Sequence, residues 1–377
     1  MIANRRHLFD IPEGVAFLNC ASQSPLLKAS KAAGDAGIGR KQQPWRYDPA
    51  QAPAEADQLR GLFAALIGAE ASDIAITPSA SYGIKTAALN LPLEAGQRIL
   101  VPEQPFPSHF YTWRELAGDR GAAIETVPAP DDGDWTAAVL ERLRPEVATA
   151  ALPACRWFDG AALDSEAVGA RCRETGTALV LDATQAAGAM ALDIGRIQPD
   201  FLVAAAYKWL LCPFTLGFLY AAPQRQDGRP LECHMFNHPG ADDIAETIAY
   251  PEAHTPGARR YDMGEVYNSI HLPMAIAALG QLNAWTPAAI SVSLRPLTEA
   301  VAAAAAERGL QVPPARHRVA HFIGLRAPEG WPDGLLQALA AERIYASSRV
   351  ATLSISPHLF TTKADVARLF QVLDRLR

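Results

Sequence analysis

The stretch LVLDATQAAGAMALDIGRIQPDFLVAAAYKWLLCPFTLGFLY (179–220) decides the fold. It contains three apolar runs, each bounded by glycine, proline or polar residues. Reaching back to Ala178, these are ALVLD (178–182), DFLVAAA (200–206) and LGFLYA (216–221). Runs this short and this continuously apolar read as strands buried on both faces. Two charges sit awkwardly among them. Asp182 closes the first run, and Lys208 lies between AAAY and WLLCPF. A carboxylate and an amine in apolar surroundings each cost several kcal/mol to desolvate, about as much as a partner must return. Desolvation also lowers a lysine pKa and makes it a nucleophile near neutral pH. Asp182 has an ordinary alternative, as N-cap of the following turn.

Outward from this stretch the same rhythm continues. DIAIT (73–77), RILVPE (98–103), AAIETVP (122–128) and ATAALP (148–153) read as further strands. Amphipathic segments at 81–91, 110–121 and 165–176 read as helices, the last two stopped by glycine. Strands alternating with helices predict an α/β fold, a mostly parallel sheet with helices on both faces. Ligands of such sheets gather at the carboxyl ends of strands. Ser79, Asp182 and Lys208 all fall just there. The proline- and glycine-rich segment 251–265 reads as a connection. Beyond it, helices at 271–285, 290–309 and 362–376 and strand-like pieces at 317–327 and 351–357 predict a smaller α+β domain. The expected division is 1–255, an N-terminal segment with a large domain, and 256–377, a small C-terminal domain.

Bulk composition narrows the class. The 377 residues suit about two domains. A net charge of −6 argues against a general nucleic-acid binder or a membrane-surface protein. The five cysteines, Cys20, Cys155, Cys172, Cys212 and Cys233, show no paired spacing and read as free thiols of a reducing cytoplasm. MIANRRHLFDIPEG (1–14) has arginines without an apolar segment behind them, so no secretory signal is expected. The apolar stretch near 201–222 is broken by Lys208 and Pro213 and is a poor membrane span. Cys233, His234 and His238 lie close together, yet the adjoining Pro239 and Gly240 and the lack of a fourth ligand argue against zinc. No metal is expected.

Two further pieces carry chemistry. TPSASYGIKTAAL (77–89) leads a strand through small residues into a helix, where free amides and a serine hydroxyl make a phosphate site. An ordinary helix capped by Ser79 or Ser81 fits equally well. In PEQPFPSHFYTW (102–113), Phe106 stands between prolines at a strand end and can lie flat on an aromatic ring, or simply join the core. Pyridoxal phosphate is one cofactor that answers both awkward charges. Its ring nitrogen wants an anion, and its aldehyde wants a lysine as a Schiff base.

Taken in order, these pieces resemble the class V aminotransferase family of fold-type I pyridoxal-phosphate enzymes, which includes cysteine desulfurases, kynureninases and isopenicillin N epimerase. The resemblance runs from FLNCASQSP (17–25) to SISPHLFTTKADVARL (354–369), with DATQ and YKW as its specific part. It implies that Lys208 carries the cofactor and Asp182 faces the pyridinium. Gln185 touches the ring hydroxyl, Phe106 stacks on the ring, and Trp157, with Asp159, packs nearby. Ala80, Ser81 and Tyr207 contact the phosphate. It also implies a homodimer with its active site at the subunit interface, to which Gly264 and Glu265 of RRYDMGEVYN (259–268) would contribute. His109 stands where kynureninases carry aspartate, and is a candidate substrate contact. Ser354 stands where relatives carry the arginine that holds the substrate carboxylate. Arg349 is the first candidate to replace it, with Arg46 and Arg316 behind. No cysteine follows Cys233, so persulfide-forming desulfurase chemistry is not expected. The implied activity is on a small amino acid or amine through an aldimine on Lys208. An aminotransferase-type reaction leads, β-elimination at C–S or C–C follows, and an epimerase or a non-catalytic binder comes last.

Overall fold

The computed structural model describes residues 1–46, 48, 50–240 and 250–376. All seven strands expected before residue 222 form, and they build one sheet. They are β1 (Ile74–Thr77), β2 (Arg98–Pro102), β3 (Ala123–Val127), β4 (Val147–Pro153), β5 (Ala178–Asp182), β6 (Phe201–Ala205) and β7 (Gly217–Ala221). Their order is β1-β7-β6-β5-β4-β2-β3. Pairing is parallel from β6 across to β3, and β7 runs antiparallel to both its neighbours.

The apolar runs are continuous because both faces of the sheet are covered. Alternate side chains enter two separate cores. Leu179, Leu181, Leu202 and Ala204 point into one, Val180, Phe201 and Val203 into the other. The first core is closed by helices α2 (Gln51–Ile67), α5 (Ser165–Thr175) and α6 (His271–Trp285), with α1 (Lys28–Gln42) packed against α6, and the second by α3 (Ala80–Asn90) and α4 (Pro107–Arg120). Phe63 of α2 stacks on Phe218 at 4.2 Å, and both are fully buried. Each such ring contributes roughly 1.5–3 kcal/mol. The predicted glycine stops hold, since Gly121 and Gly176 cap α4 and α5 in the left-handed conformation.

The C-terminal part carries a three-stranded antiparallel sheet. Its strands are β8 (Ile323–Arg326), β9 (Ser347–Arg349) and β10 (Thr352–Ile355), in the order β9-β10-β8, packed with α7 (Pro287–Ala306) and α8 (Lys363–Leu376). Ala16 and Phe17 pair in parallel with Ile344 and Tyr345, which ties the N-terminal segment to this part of the chain. The β9–β10 turn places Val350 and Ala351 at φ +49° and +58°. Such a turn matches strand twist but disfavours non-glycine residues, so Arg349 hangs from a strained corner.

The segment 251–265, read from sequence as a connection, also covers the sheet edge at β1. The buried Asp262 carboxylate accepts from Ile76 N at 2.7 Å, and Met263 N donates to Ile76 O at 2.9 Å. Arg60 of α2 pairs with Asp262 from the other side. Among the described residues no helix is long and apolar enough to cross a membrane.

Candidate active site

The carboxyl ends of β1, β5 and β6 meet at one cavity, because the reversed β7 is the sole strand between β1 and β6. Ala80, Ser81, Phe106, Trp157, Asp182, Gln185, Tyr207 and Lys208 all line it, joined by Ser79, Ser108 and Thr184. Sequence reasoning missed the last two.

Each wall has a local cause. Ser79 caps α3 by accepting from Tyr82 N at 3.2 Å, and its hydroxyl lies 2.9 Å from that of Ser81. The first-turn amides of α3 therefore point into the cavity with the positive end of the helix dipole behind them. Gly217 of β7 passes beneath this turn, where a Cβ would come within 3.3 Å of Ser79 backbone. Phe106 precedes Pro107 at the start of α4 and meets Trp157 edge-on at 5.4 Å. Trp157 is held by donating Nε1 to Gln104 O at 2.9 Å.

Lys208 is 5 % exposed, with Nζ 5.3 Å from the Phe106 ring centre and 5.6 Å from that of Tyr207. Burial, aided by the Arg349 charge, pulls its pKa down to about 8, while Asp182 and Cys155 pull the other way. A lysine so placed is partly the free amine at neutral pH. Asp182 ends β5, and its Oδ1 accepts from Thr184 N at 2.9 Å. Thr184 in turn accepts from Ala205 N through its hydroxyl, which ties the Asp182 turn to the end of β6.

Gln185 is committed more deeply than expected. Its Oε1 accepts from Trp209 Nε1 at 2.8 Å, and its Nε2 donates to Ala21 O at 3.0 Å. One N–H is left for a ligand. Gly188, at φ +91°, lets the same turn touch the lysine loop, where a Cβ would sit 2.5 Å from Trp209 O.

His109 is buried beside the cavity, in a small pocket shared with Asp182, Gln185 and Cys155. Trp113 Nε1 donates to its Nδ1 at 3.2 Å, so the neutral ring carries its proton on Nε2. That Nε2 has no partner. Burial lowers the His109 pKa, against a smaller upward pull from Asp182.

Strand β9 supplies Arg349. Its Nη1 donates to Trp157 O at 2.9 Å and its Nη2 to Ser22 Oγ. Ser22 was not singled out, although it lies inside FLNCASQSP. Ser354 is fully buried and spends its hydroxyl on Phe158 O at 2.6 Å. Gly264 and Glu265 lie outside the cavity of their own chain. Gly264 N donates to Glu232 Oε2 at 2.6 Å. Asp159 faces a second cavity beyond Trp157.

The family model for class V aminotransferases matches residues 47–236, half of the chain. The chain belongs to the class V aminotransferase family. Family relatives include isopenicillin N epimerase of Streptomyces clavuligerus, 26 % identical over 86 % of this chain and 85 % of that one. The kynureninase of Deinococcus radiodurans is 28 % identical over 75 % of this chain and 70 % of its own. Among solved structures, the apo cysteine desulfurase of Thermococcus onnurineus NA1 superposes with a TM-score of 0.85 at 18 % identity, over 100 % of this chain and 99 % of that one. Likeness at that identity carries the fold, which is fold type I.

The family is pyridoxal-phosphate-dependent, and pyridoxal 5'-phosphate is the cofactor. The residues present fit it. A buried amine, a carboxylate at a strand end, a stacking ring and a helix N-terminus converge on one cavity. An unpartnered His109 Nε2 lies against the Asp182 side.

Proposed function

We propose that this chain is an aminotransferase of small amino acids in which Lys208 is the base. The observation that carries it is Lys208 itself, a buried amine with its pKa near 8 inside the cavity lined by Asp182. When bound, the cofactor supplies an electron sink for charge developing at the substrate α-carbon. The α3 amides, Ser81 and Tyr207 would hold its phosphate. Asp182 would keep its ring nitrogen protonated, with Phe106 against the ring. Lys208 then moves a proton at the α-carbon, a task suited to a pKa near the working pH. The reading includes a large domain 1–255, a small domain 256–377 and a homodimer. Phe214, 54 % exposed and stacked on Tyr207 at 4.4 Å, is an apolar surface that a second subunit would cover. The five free cysteines support a cytoplasmic setting.

The deciding experiment is a single turnover of holoenzyme with amino acids and no keto-acid acceptor. One equivalent of keto acid, with conversion of the cofactor to its amine form, is expected. Continuous release of ammonia and keto acid would replace the reading with β-elimination.

Arg349 substitutes for the missing arginine in this reading, with the unused N–H groups of its guanidinium turned to the substrate carboxylate. Arg349→Ala is expected to weaken amino-acid binding about tenfold to a hundredfold. Arg349→Lys should recover part of that, since a point charge lacks the fork. Spectral titration of the holoenzyme reads both. Unchanged affinity in Arg349→Ala removes the residue from the substrate site.

A further inference from the structure

A second, larger cavity of about 530 Å³ opens on the same edge of the sheet, beyond Trp157. Its floor is made by the residues that follow β4, β2 and β3, and its roof by the segment 311–314, β8 and the β9–β10 turn. The volume is that of an ordinary small-molecule site. Strand order gives its place. With β4 and β2 next in line after β5, and about 4.8 Å between neighbours, the cavity is centred roughly 10 Å from Asp182. The wall between the two cavities is thin. Gln104 and Val350 line the far side, Trp157, bonded to Gln104, lines the near side, and Arg349, next to Val350, donates to Trp157 O.

The cavity holds a guanidinium without a full complement of partners. Arg156 is 6 % exposed. Its plane is fixed by two rings, Trp135 at 3.9 Å and Phe158 at 4.4 Å. Its Nε lies 3.3 Å from Asp159 Oδ2, outside hydrogen-bonding geometry, and its buried Nη1 has no partner at all. A buried cation left in this state is costly unless a ligand completes it. Arg326 lines the same cavity from β8 and forms no ion pair among the described residues. The two acids present are engaged. Glu103 Oε2 accepts from Ala129 N at 2.8 Å, and Asp159 Oδ1 accepts from Ala161 N at 3.0 Å.

We propose that this cavity receives the distal carboxylate of an elongated amino-acid substrate, held by Arg156 and Arg326, while the substrate's α-amino group reacts at Lys208. The inference rests on the reading of the Lys208 cavity as the active site. It changes the expected substrate from a small amino acid to one whose side chain ends in a carboxylate.

The test is a spectral titration of cofactor-loaded enzyme with chain-length-matched probes. α-Aminosuberate and α-aminosebacate end in a carboxylate; α-aminooctanoate and α-aminodecanoate end in a methyl group. The carboxylate-ended member of a pair is expected to bind about tenfold to a hundredfold more tightly. That preference should vanish in Arg156→Met and shrink in Arg326→Gln, with alanine affinity unchanged in both. Arg326 is exposed, so its variant tests the idea even if Arg156→Met does not fold. Equal affinity within each pair, or a preference untouched by Arg326→Gln in a folded protein, overturns the subsite. Failure of the parent reading looks different: Lys208 would not bind cofactor, and no amino acid, alanine included, would change the spectrum.

Discussion

Lys208→Ala is expected to lower turnover about 10³-fold or more, because one change removes both the covalent anchor and the base. The cofactor should also be lost on dialysis, since Asp182, the α3 amides and the ring contacts remain but the covalent link does not. Borohydride reduction followed by peptide mapping gives the direct reading. The wild-type protein should carry a pyridoxyl group on the peptide containing Lys208, and the variant should carry none. Label on a different lysine would end the assignment. The stability of the empty protein should move little or upward. The amine is buried and pays a desolvation penalty, to which repulsion from Arg349 adds, as its depressed pKa records. A variant that loses activity while melting no earlier separates a chemical role from a structural one.

The second large effect is acid sensitivity. His321 and His358 are both fully buried beside Trp209, at ring-centre distances of 4.5 and 6.1 Å. His321 Nε2 donates to Gln185 O at 2.7 Å, and neither nitrogen of His358 has a partner. Burial pushes His321 down to about 4 and His358 to about 3, the latter helped by its neighbour. Both lie below the ordinary histidine value near 6.5. The unfolded chain therefore binds protons that the folded chain refuses, and this begins as pH falls below 6.5. Stability is fully present above that value and declines toward the folded pKa values. At about 1.4 kcal/mol per group per pH unit, the two together cost roughly 4 kcal/mol between pH 6.5 and 5. That is a large share of an ordinary folding free energy. Denaturant titrations at pH 7 and pH 5 measure it. His358→Phe, placed beside Phe9 and Phe360, should remove about half of the slope. A flat profile in the wild type contradicts the account.

What the sequence disclosed, and what it hid, divides by the range of the interactions. The seven strands of the large sheet were legible because burial on both faces writes itself as an unbroken apolar run. Asp182 and Lys208 were legible because a charge in such a run is conspicuous. A serine cap was legible from its small neighbours, with Ser79 and Ser81 left as alternatives and Ser79 the one that caps. The partners of Gln185 were not, since Ala21 and Trp209 reach it from distant parts of the chain. Nor was the bond between Arg349 and Ser22, which joins the two ends of the molecule. The turn at Val350 and Ala351 carries no glycine or asparagine, so nothing local announced a left-handed corner. The second cavity escaped for the same reason. Arg156 belongs to a segment read as packing near the cofactor, yet it lines the second cavity rather than the Lys208 cavity.

The cover at β1 has a consequence for how the molecule avoids its own copies. An edge strand is an open template, and another chain can extend it. Here Ile76 offers a donor and an acceptor, and both are taken by Asp262 and Met263 of the same chain. A single acid thus acts as a stopper on lateral growth. Asp262 has Arg60 for a counterion, so the stopper is locked from the helix side as well. A chain that lost it would keep its cofactor cavity and still gain a sticky border, turning a folded enzyme into a seed for strand exchange.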